Sequence, residues 1–529
     1  MRREGETQVV EGFDRTASVD FSEVVADNVP RNFHFRPAHP SIEIIGSTIR
    51  TSSDRKVIYF CPICVLRSAM DSVLLRELES IVGKDQVIVK RERMLSYLSD
   101  ETPTIMEPKP ASDIVVVKPL TTSEVSATVR LADEHKIPIF PRGGGTGLVG
   151  GAVPTHDGIV LSLERMNQVQ IDRENLMADA EAGVTLGKLA EAAREQGLSF
   201  PPHPGDENAQ VGGLVSTNAG GSRAVRHGVM RNNIRAVQVV LASGETIDLG
   251  GKNHKDNVGY DLMQLIIGSE GTLGVITKAT LQLYGSENAS ITLVVPYNSR
   301  AAAIATVPKI LRQAGPPQAI EYVEKDLMER AAKHLGTRWP VTTGQYYLII
   351  ILAEASRDEL LAKSMRISDA CKEYTPLDVF AAESAREQEN ILSIRSNLYT
   401  YLKPDVLDIL DIVVPISKLE QIVAAIEDIA KQAALSLPVY GHAGDGNLHV
   451  HIMRKQGVEA SKYVGELSDQ VYKATMALGG VITGEHGIGR TRIDKVEKYL
   501  GERQIELMRN VKRIFDPNNI MNPGAKVPA

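Results

Sequence analysis

From about residue 71 onward the chain alternates between two spacings of apolar side chains. LLRELESIVG (74–83) places its apolar residues one helical turn apart and stops at Gly83, which predicts a helix. DIVVVKPL (113–120) is a continuous apolar run ending in a turn, the pattern of a strand buried on both faces. TSEVSATVRLADEHK returns to helical spacing, with Thr122 or Ser123 as its cap, and IPIFPR predicts another strand. In the first 70 or so residues neither spacing holds; polar clusters around Pro30, Pro37, Pro40 and Ser52 predict an extension of no regular pattern.

The strand IPIFPR runs into PRGGGTGLVGGAVPTHDG, with glycines at 143, 144, 145, 147, 150, 151 and 158. Gly145, Gly147 and Gly150 satisfy G-x-G-x-x-G, but a dinucleotide fingerprint of that type opens a helix. Here Gly151, Pro154 and Gly158 break any helix, and GIVLSL resumes as a strand. Glycines between two strands instead let the backbone curl around an anion with successive N–H groups as donors, the chemistry of pyrophosphate binding. Two more fields of small residues follow, at 205–228 and 257–278, separated by the hairpin RAVQVVLASGETIDL, which turns at Ser243 and Gly244. Three such fields within one region exceed what turns require.

After about residue 290 glycine thins out and strands alternate with longer helices. ITLVVPY, QAIEYVE, GQYYLIIILAEAS, DILDIVVPIS and LPVYGHAGDGNLHVHIM read as strands of an antiparallel sheet, and the tail is helical apart from GGVITGEHGIGR. The class is α+β. The expected division is an extension over 1–72, a cofactor-binding domain over 73–290, a substrate or cap domain over 291–460 and a C-terminal helical segment over 461–529.

Composition narrows the chemistry. Of 529 residues 43% are hydrophobic and 24% charged, and Lys+Arg 59 against Asp+Glu 66 gives −7, which excludes a disordered chain and argues against nucleic acid as a partner. The longest apolar stretches, 57–66 and 346–353, fall short of the roughly 20 residues a membrane helix needs. Three cysteines fit a reducing compartment and exclude a disulfide framework. Cys61 and Cys64 form a CxxC without a second pair, and Arg2 and Arg3 are followed by acids rather than an apolar segment, so no signal is expected and the location is read as cytoplasmic.

One stretch carries metal chemistry. In YGHAGDGNLHVHI, Asp445-Gly446 is a two-residue hairpin signal; counting outward pairs 444 with 447, 443 with 448 and His442 with His449, their Cβ atoms roughly 5 Å apart on one face. His451 shares that face, and opposed imidazoles suit a divalent ion. GEHGIG offers Glu485 and His486 between glycines, so a carboxylate can turn to the ion and an imidazole to a substrate.

Taken in order, PRGGGTGLVGGA, PPHPG, VGGLVSTNAGG, GSEGTLGVIT, GHAGDGNLH, GEHGIG and FDPNNIMNPGAK resemble the FAD-dependent D-2-hydroxyacid dehydrogenases, a family that includes D-lactate dehydrogenases, the glycolate oxidase flavoprotein subunit and D-2-hydroxyglutarate dehydrogenase. The resemblance runs from about residue 73 to the C-terminus. It implies a two-part FAD domain of the vanillyl-alcohol oxidase type under a cap. Arg142, Gly143, Gly144, Gly145, Thr146 and Gly147 match the pyrophosphate loop, helped by Gly212, Gly213, Ser216, Asn218 and Gly220, with Ile276 near the cofactor. Thr146 stands where relatives with covalent flavin carry histidine, so noncovalent FAD is expected. His442, His449 and Glu485 match the ligands of a divalent metal, zinc or manganese, His486 the base, and Arg395 the arginine for the substrate carboxylate, although the residues before Arg395 depart from the usual Leu-Trp.

Two departures bear on substrate. Members acting on D-2-hydroxyglutarate carry a lysine where Asp408 and Ile409 stand here, and asparagine where this chain has His451. A 2-hydroxy acid with a single carboxylate is therefore expected, its hydroxyl proton going to His486 and its hydride to flavin N5, with electrons passing on to an electron-transfer flavoprotein, quinone, cytochrome or partner subunits. A homodimer and attachment at a membrane periphery through that acceptor stay open. The rival readings are a flavin-bearing subunit active only in a larger complex, and a hydrolase whose His/His/Glu ion activates water, which leaves the glycine fields without a purpose.

Overall fold

The computed structural model describes residues 48–50, 56–58 and 72–528, and the chain divides into two compact units, Met1–Arg67 and Ser68–Ala529. In the first, β1 (Thr48–Arg50) pairs antiparallel with β2 (Lys56–Ile58). The readings made of Arg2, Arg3, Cys61 and Cys64 lie outside the described residues, as does most of the expected extension.

The second unit opens with the helix Ser72–Val82 and a sheet of β3 (Val87–Ile88), β4 (Ile114–Val117), β5 (Ile139–Arg142) and β6 (Gly158–Ser162), in the order β3-β4-β6-β5. All four residues of β4 are buried, as its uninterrupted apolar run requires. The helix Thr122–His135 carries the chain from β4 to β5; its cap is Thr121, one residue before the expected pair, because Thr121 still has extended dihedrals and its side chain accepts from Glu124 N. β5 and β6 are parallel, so the chain must cross over between them. The glycine-rich residues 143–157 make that crossover without a helix, Gly145 and Gly150 taking φ of 72° and 71°.

A second sheet joins β7 (Val169–Asp172), β8 (Met177–Glu181), β10 (Ile234–Val240), β11 (Thr246–Gly250) and β12 (Val275–Gln282), all antiparallel, in the order β11-β10-β12-β8-β7. Between these, β9 (Leu198–Ser199) meets β13 (Tyr284–Gly285). The helices Leu186–Glu195 and Val211–Thr217 pack on this sheet through Leu189, Leu214 and Val215.

The remainder is a seven-stranded antiparallel sheet of β14 (Ala289–Tyr297), β15 (Ala319–Glu324), β16 (Tyr346–Glu354), β17 (Phe380–Ala382), β18 (Val406–Val413), β19 (Val439–His442) and β20 (Asn447–Met453), ordered β17-β14-β16-β15-β19-β20-β18. Strand alternation sorts its two faces. Leu448, Val450, Ile452, Leu410, Ile412 and Tyr322 turn to the core under the helices Arg300–Ala314, Leu419–Ala433 and Val464–Ala477. The alternate positions, Asn447, His449, His451, Ile409, Asp411, Glu321, Tyr440 and His442, therefore share the opposite face. The tail returns to the first sheet, where Met521 bridges Ile139 and Asn522 N donates to Ile139 O at 2.8 Å.

Candidate active site

A cleft of about 1290 Å³, part of it open solvent, lies among the crossover loop, the helix Val211–Thr217 and the chain around Glu270. Arg142, Gly143, Gly144, Gly145, Thr146, Gly147, Gly212, Gly213, Ser216, Gly220 and Ile276 all line it. A Cβ on Gly144 would stand 2.9 Å from Asn208 O and one on Gly145 would collide with the Arg142 guanidinium, whereas one on Gly213 would meet no atom within 4 Å and would take up open space. Arg142 is buried; its Nη2 donates to Ser96 O at 2.6 Å, while Nη1, like Gln210 Oε1, has no hydrogen-bond partner among the described residues. An unpartnered guanidinium nitrogen beside bare glycine backbone fits a bound anion such as a pyrophosphate.

Two residues depart from expectation. Asn218 does not line the cleft: as the left-handed cap of its helix, it turns its Oδ1 to accept from Arg231 N at 2.9 Å. Gly220 lines the cleft, but its bareness serves Glu485, whose Oε2 a Cβ would approach to 2.6 Å and which accepts a close hydrogen bond from Gly221 N.

Glu485 and His486 also line the cleft, and both touch His449 on the polar face of the seven-stranded sheet. The hairpin register differs from the expected one. β19 and β20 pair His442 with Asn447 and Tyr440 with His449, and the connection is the four residues Ala443 to Gly446 rather than Asp445-Gly446 alone. Gly446, at φ 87°, is drawn against β18, where Val414 N donates to Gly446 O at 3.1 Å. The shift is two residues, so it preserves the face: the two imidazoles are diagonal neighbours with ring centroids 5.3 Å apart.

Cross-strand pairing then builds a continuous row. Glu321 stands opposite His442, His449 opposite both Tyr440 and Asp411, and Ile409 opposite His451. His442 Nδ1 donates to Glu321 Oε1 at 2.6 Å, and its Nε2 lies 3.4 Å from Glu485 Oε1; His449 Nε2 lies 3.5 Å from the same oxygen. Two atoms each bonded to one tetrahedral ion sit about 3.3 Å apart, and the separations of His442 Nε2 and of His449 Nε2 from Glu485 Oε1 are both close to that. Asp411, His449, Glu485 and His486 also bring a ligand atom each within 4.8 Å of one another. Asp411 is the poorer donor of that quartet, because its Oδ2 already accepts from the backbone N of Gly484, Glu485 and His486, each at 2.8 Å, and from Thr483 Oγ1 at 2.9 Å.

Charges in the row are mutually compensated. Burial alone would raise the carboxyls of Glu321, Asp411 and Glu485; Arg395 and His442 hold Glu321 down, His486 and His449 hold Asp411 well down, and His442 brings Glu485 to about 2. Burial disfavours the His442 cation, but Glu321 and Glu485 outweigh it and lift the group well above the ordinary imidazole value. Burial keeps His451 neutral, near 3, stacked on Tyr440 at 4.7 Å. Arg395, on the helix Ala385–Ser396, donates from Nε to Glu321 Oε2 at 2.8 Å and lies 5.0 Å over the Tyr440 ring. Asp408 faces away, paired with buried Arg492, so positions 408 and 409 offer this face no cation.

The GEHGIG loop is held by two carboxylates that sequence reasoning missed. Asp411 takes its first half; Glu270, in the third glycine field, accepts from Ile488 N at 2.9 Å and Gly489 N at 2.6 Å. His486 stacks on His449 with centroids 5.0 Å apart, its Nε2 3.9 Å from Glu485 Oε1. The third omission is Glu321. A buried acid set within the apolar strand runs VLDILDIV and AIEYVE is the signal that marks Asp411 and Glu321, but nothing in the sequence names their partners.

Two family models match the chain: an FAD binding domain over residues 114–250 and the C-terminal domain of FAD linked oxidases over 287–525. The D-lactate dehydrogenase of Archaeoglobus fulgidus is 42% identical over 432 residues, 82% of this chain and 95% of that protein. The glycolate oxidase subunit GlcD of Bacillus subtilis is 34% identical, over 81% of this chain and 91% of that protein. The crystal structure of p-cresol methylhydroxylase with substrate bound superposes with a TM-score of 0.72 at 17% identity, covering 86% of this chain and 96% of that one, a likeness of fold. On matches of this length and identity, the chain belongs to the FAD-linked oxidases, the family of D-lactate dehydrogenase and the glycolate oxidase subunit GlcD.

Proposed function

We propose that this chain oxidises a D-2-hydroxy acid bearing one carboxylate to the 2-oxo acid, with noncovalent FAD held by residues 73–290 and a zinc or manganese ion on His442, His449 and Glu485. The observation that carries the reading is that the glycine-lined cleft ends on Glu485 and His486, which makes the cofactor cleft and the His/Glu cluster a single site. The relatives named D-lactate dehydrogenase support the substrate class. Neutral His451, Ile409 opposite it and the Asp408–Arg492 pair, buried on the other side of the sheet, support a single carboxylate.

When bound in the glycine-lined cleft, FAD would supply a hydride acceptor, and an ion held by His442, His449 and Glu485 would supply positive charge at the substrate hydroxyl. His486 takes the hydroxyl proton, and its stacking on His449 keeps the imidazole beside the cluster. Arg395 holds the carboxylate with the guanidinium edge that Glu321 leaves over, fixing Cα towards the cleft. The hydrolase reading leaves the cleft without an occupant.

The test is anaerobic mixing of the flavin-loaded protein with D- and L-lactate, longer 2-hydroxy acids and D-2-hydroxyglutarate. Bleaching of the flavin by D-monocarboxylates is expected; bleaching by none of them, or best by the dicarboxylate, overturns the proposal. The reading as a subunit active only in a complex draws on the relative named glycolate oxidase subunit, and dye reduction by the isolated chain would exclude it.

A further inference from the structure

Glu321 divides its two oxygens between the candidate ion ligand His442 and the candidate carboxylate anchor Arg395. Oε1 accepts from His442 Nδ1 at 2.6 Å, which fixes the orientation of the ring and leaves Nε2 facing Glu485 Oε1 at 3.4 Å. Oε2 accepts from Arg395 Nε at 2.8 Å, and Arg395 Nη2 is in contact with the same oxygen. Glu321 is itself 1% exposed and rooted in the middle of β15, opposite His442 in register. Arg395 comes from a helix with no strand pairing to the hairpin, and its other contact is the face of Tyr440. One rigid carboxylate thus orients a candidate ion ligand and the candidate carboxylate anchor at once.

Resting on the function proposed above, we propose that Glu321 is a positioning residue that couples the two: it aims His442 at the ion and Arg395 at the substrate carboxylate, so that loss of its charge weakens both. Neither effect requires Glu321 to touch ion or substrate. Asp411 provides a contrast: its Oδ1 lies 3.5 Å from His449 Nδ1, but its other contacts are the loop backbone, Thr483 and Asn447, and none is the candidate carboxylate anchor.

The experiment compares wild type with Glu321→Gln, both carrying FAD. Affinity for zinc and manganese is measured by equilibrium dialysis with elemental analysis, and affinity for pyruvate by perturbation of the oxidised flavin spectrum. Glu321→Gln is expected to lose about 10- to 100-fold in ion affinity, the usual scale for an orienting partner, and at least about tenfold in pyruvate affinity with FAD still stoichiometric. A double variant with Arg395→Ala should bind pyruvate no worse than Arg395→Ala alone. If Glu321→Gln sheds its flavin, Glu321→Asp is read the same way; its shorter arm cannot reach both partners, and retention of both affinities overturns the proposal. So does a variant in which only one of the two affinities falls. Wild type that takes up neither ion overturns the reading of the site and the coupling with it, whereas wild-type uptake matched by Glu321→Gln overturns the coupling alone.

Discussion

The two regions that meet at the cleft are built on opposite principles. The cofactor side offers what side chains would obstruct: bare backbone at Gly143, Gly144 and Gly145, on a crossover between parallel strands that uses no helix, and at Gly213 in the helix Val211–Thr217. The sheet side offers only side chains, Glu321, His442, His449 and Asp411 fixed by strand register and Glu485 reaching in from its loop, each charge-compensated by its neighbour. A loop tolerates substitution wherever no close approach occurs; a paired row of buried charges tolerates almost none, because removing one partner leaves another uncompensated. The GEHGIG loop spans both regions, its first half bound to Asp411 of the sheet and its second to Glu270 of the cofactor side.

The largest expected effect tests the sheet side alone. His486→Ala should slow flavin reduction by about 10²- to 10⁴-fold with FAD retained, the range for losing a general base, as rapid mixing with substrate would measure. Chelation should likewise stop turnover without releasing flavin, and full activity in metal-free protein would remove the ion from the mechanism. Gly145→Ala strikes the other region: the residue has φ 72° and its Cβ would collide with Arg142, so flavin content after purification should fall while zinc uptake persists. Loss of both ligands together would mean that the two regions are not separable.

Arg395→Ala comes next. It should weaken substrate binding by roughly 2 to 5 kcal/mol, because Glu321 is left with one partner and the substrate with none, and appear in the concentration dependence of flavin bleaching rather than in its limiting rate. Acid precipitation should release FAD into the supernatant; flavin in the pellet would contradict noncovalent attachment at a loop with Thr146 at its tip.

The smallest effect lies on the seam between the regions. His227, bonded to Gln318 at 3.1 Å, is lowered from 6.5 to about 4 by burial and by Arg226. Between those values the unfolded chain binds a proton that the folded chain refuses, so its contribution to stability is present above pH 6.5 and falls as pH falls to about 4. Denaturant midpoints across that window should drop with pH, and His227→Gln should flatten the slope.

Much of this was legible in the chain. Apolar spacing predicts the strands and helices in order, and the three glycine fields do line one cleft, because both properties depend on residues close in sequence. Face assignment was legible as well: His442 and His449 share a face under the expected register and the observed one, since a two-residue shift leaves alternation intact. The turn differs from the expected one because Gly446 is drawn to Val414, the residue after β18, a contact between positions more than 30 residues apart in sequence. Asn218 was misread for a related reason: its asparagine serves a left-handed cap, which motif matching does not separate from ligand binding.

By itself, then, the sequence determined the α+β class, the anion-cradling glycines and the set of imidazoles on one strand face, all consequences of local spacing and backbone freedom. Only the tertiary structure decided that Asp411 and Glu270 hold the GEHGIG loop, that Gly220 makes room for Glu485, and that Glu321 joins His442 to Arg395. Each of those contacts pairs groups from separate strands, loops or domains. Their energies depend on which strand lies beside which and at what register, and that is set by the packing of the whole sheet rather than by any window of the chain.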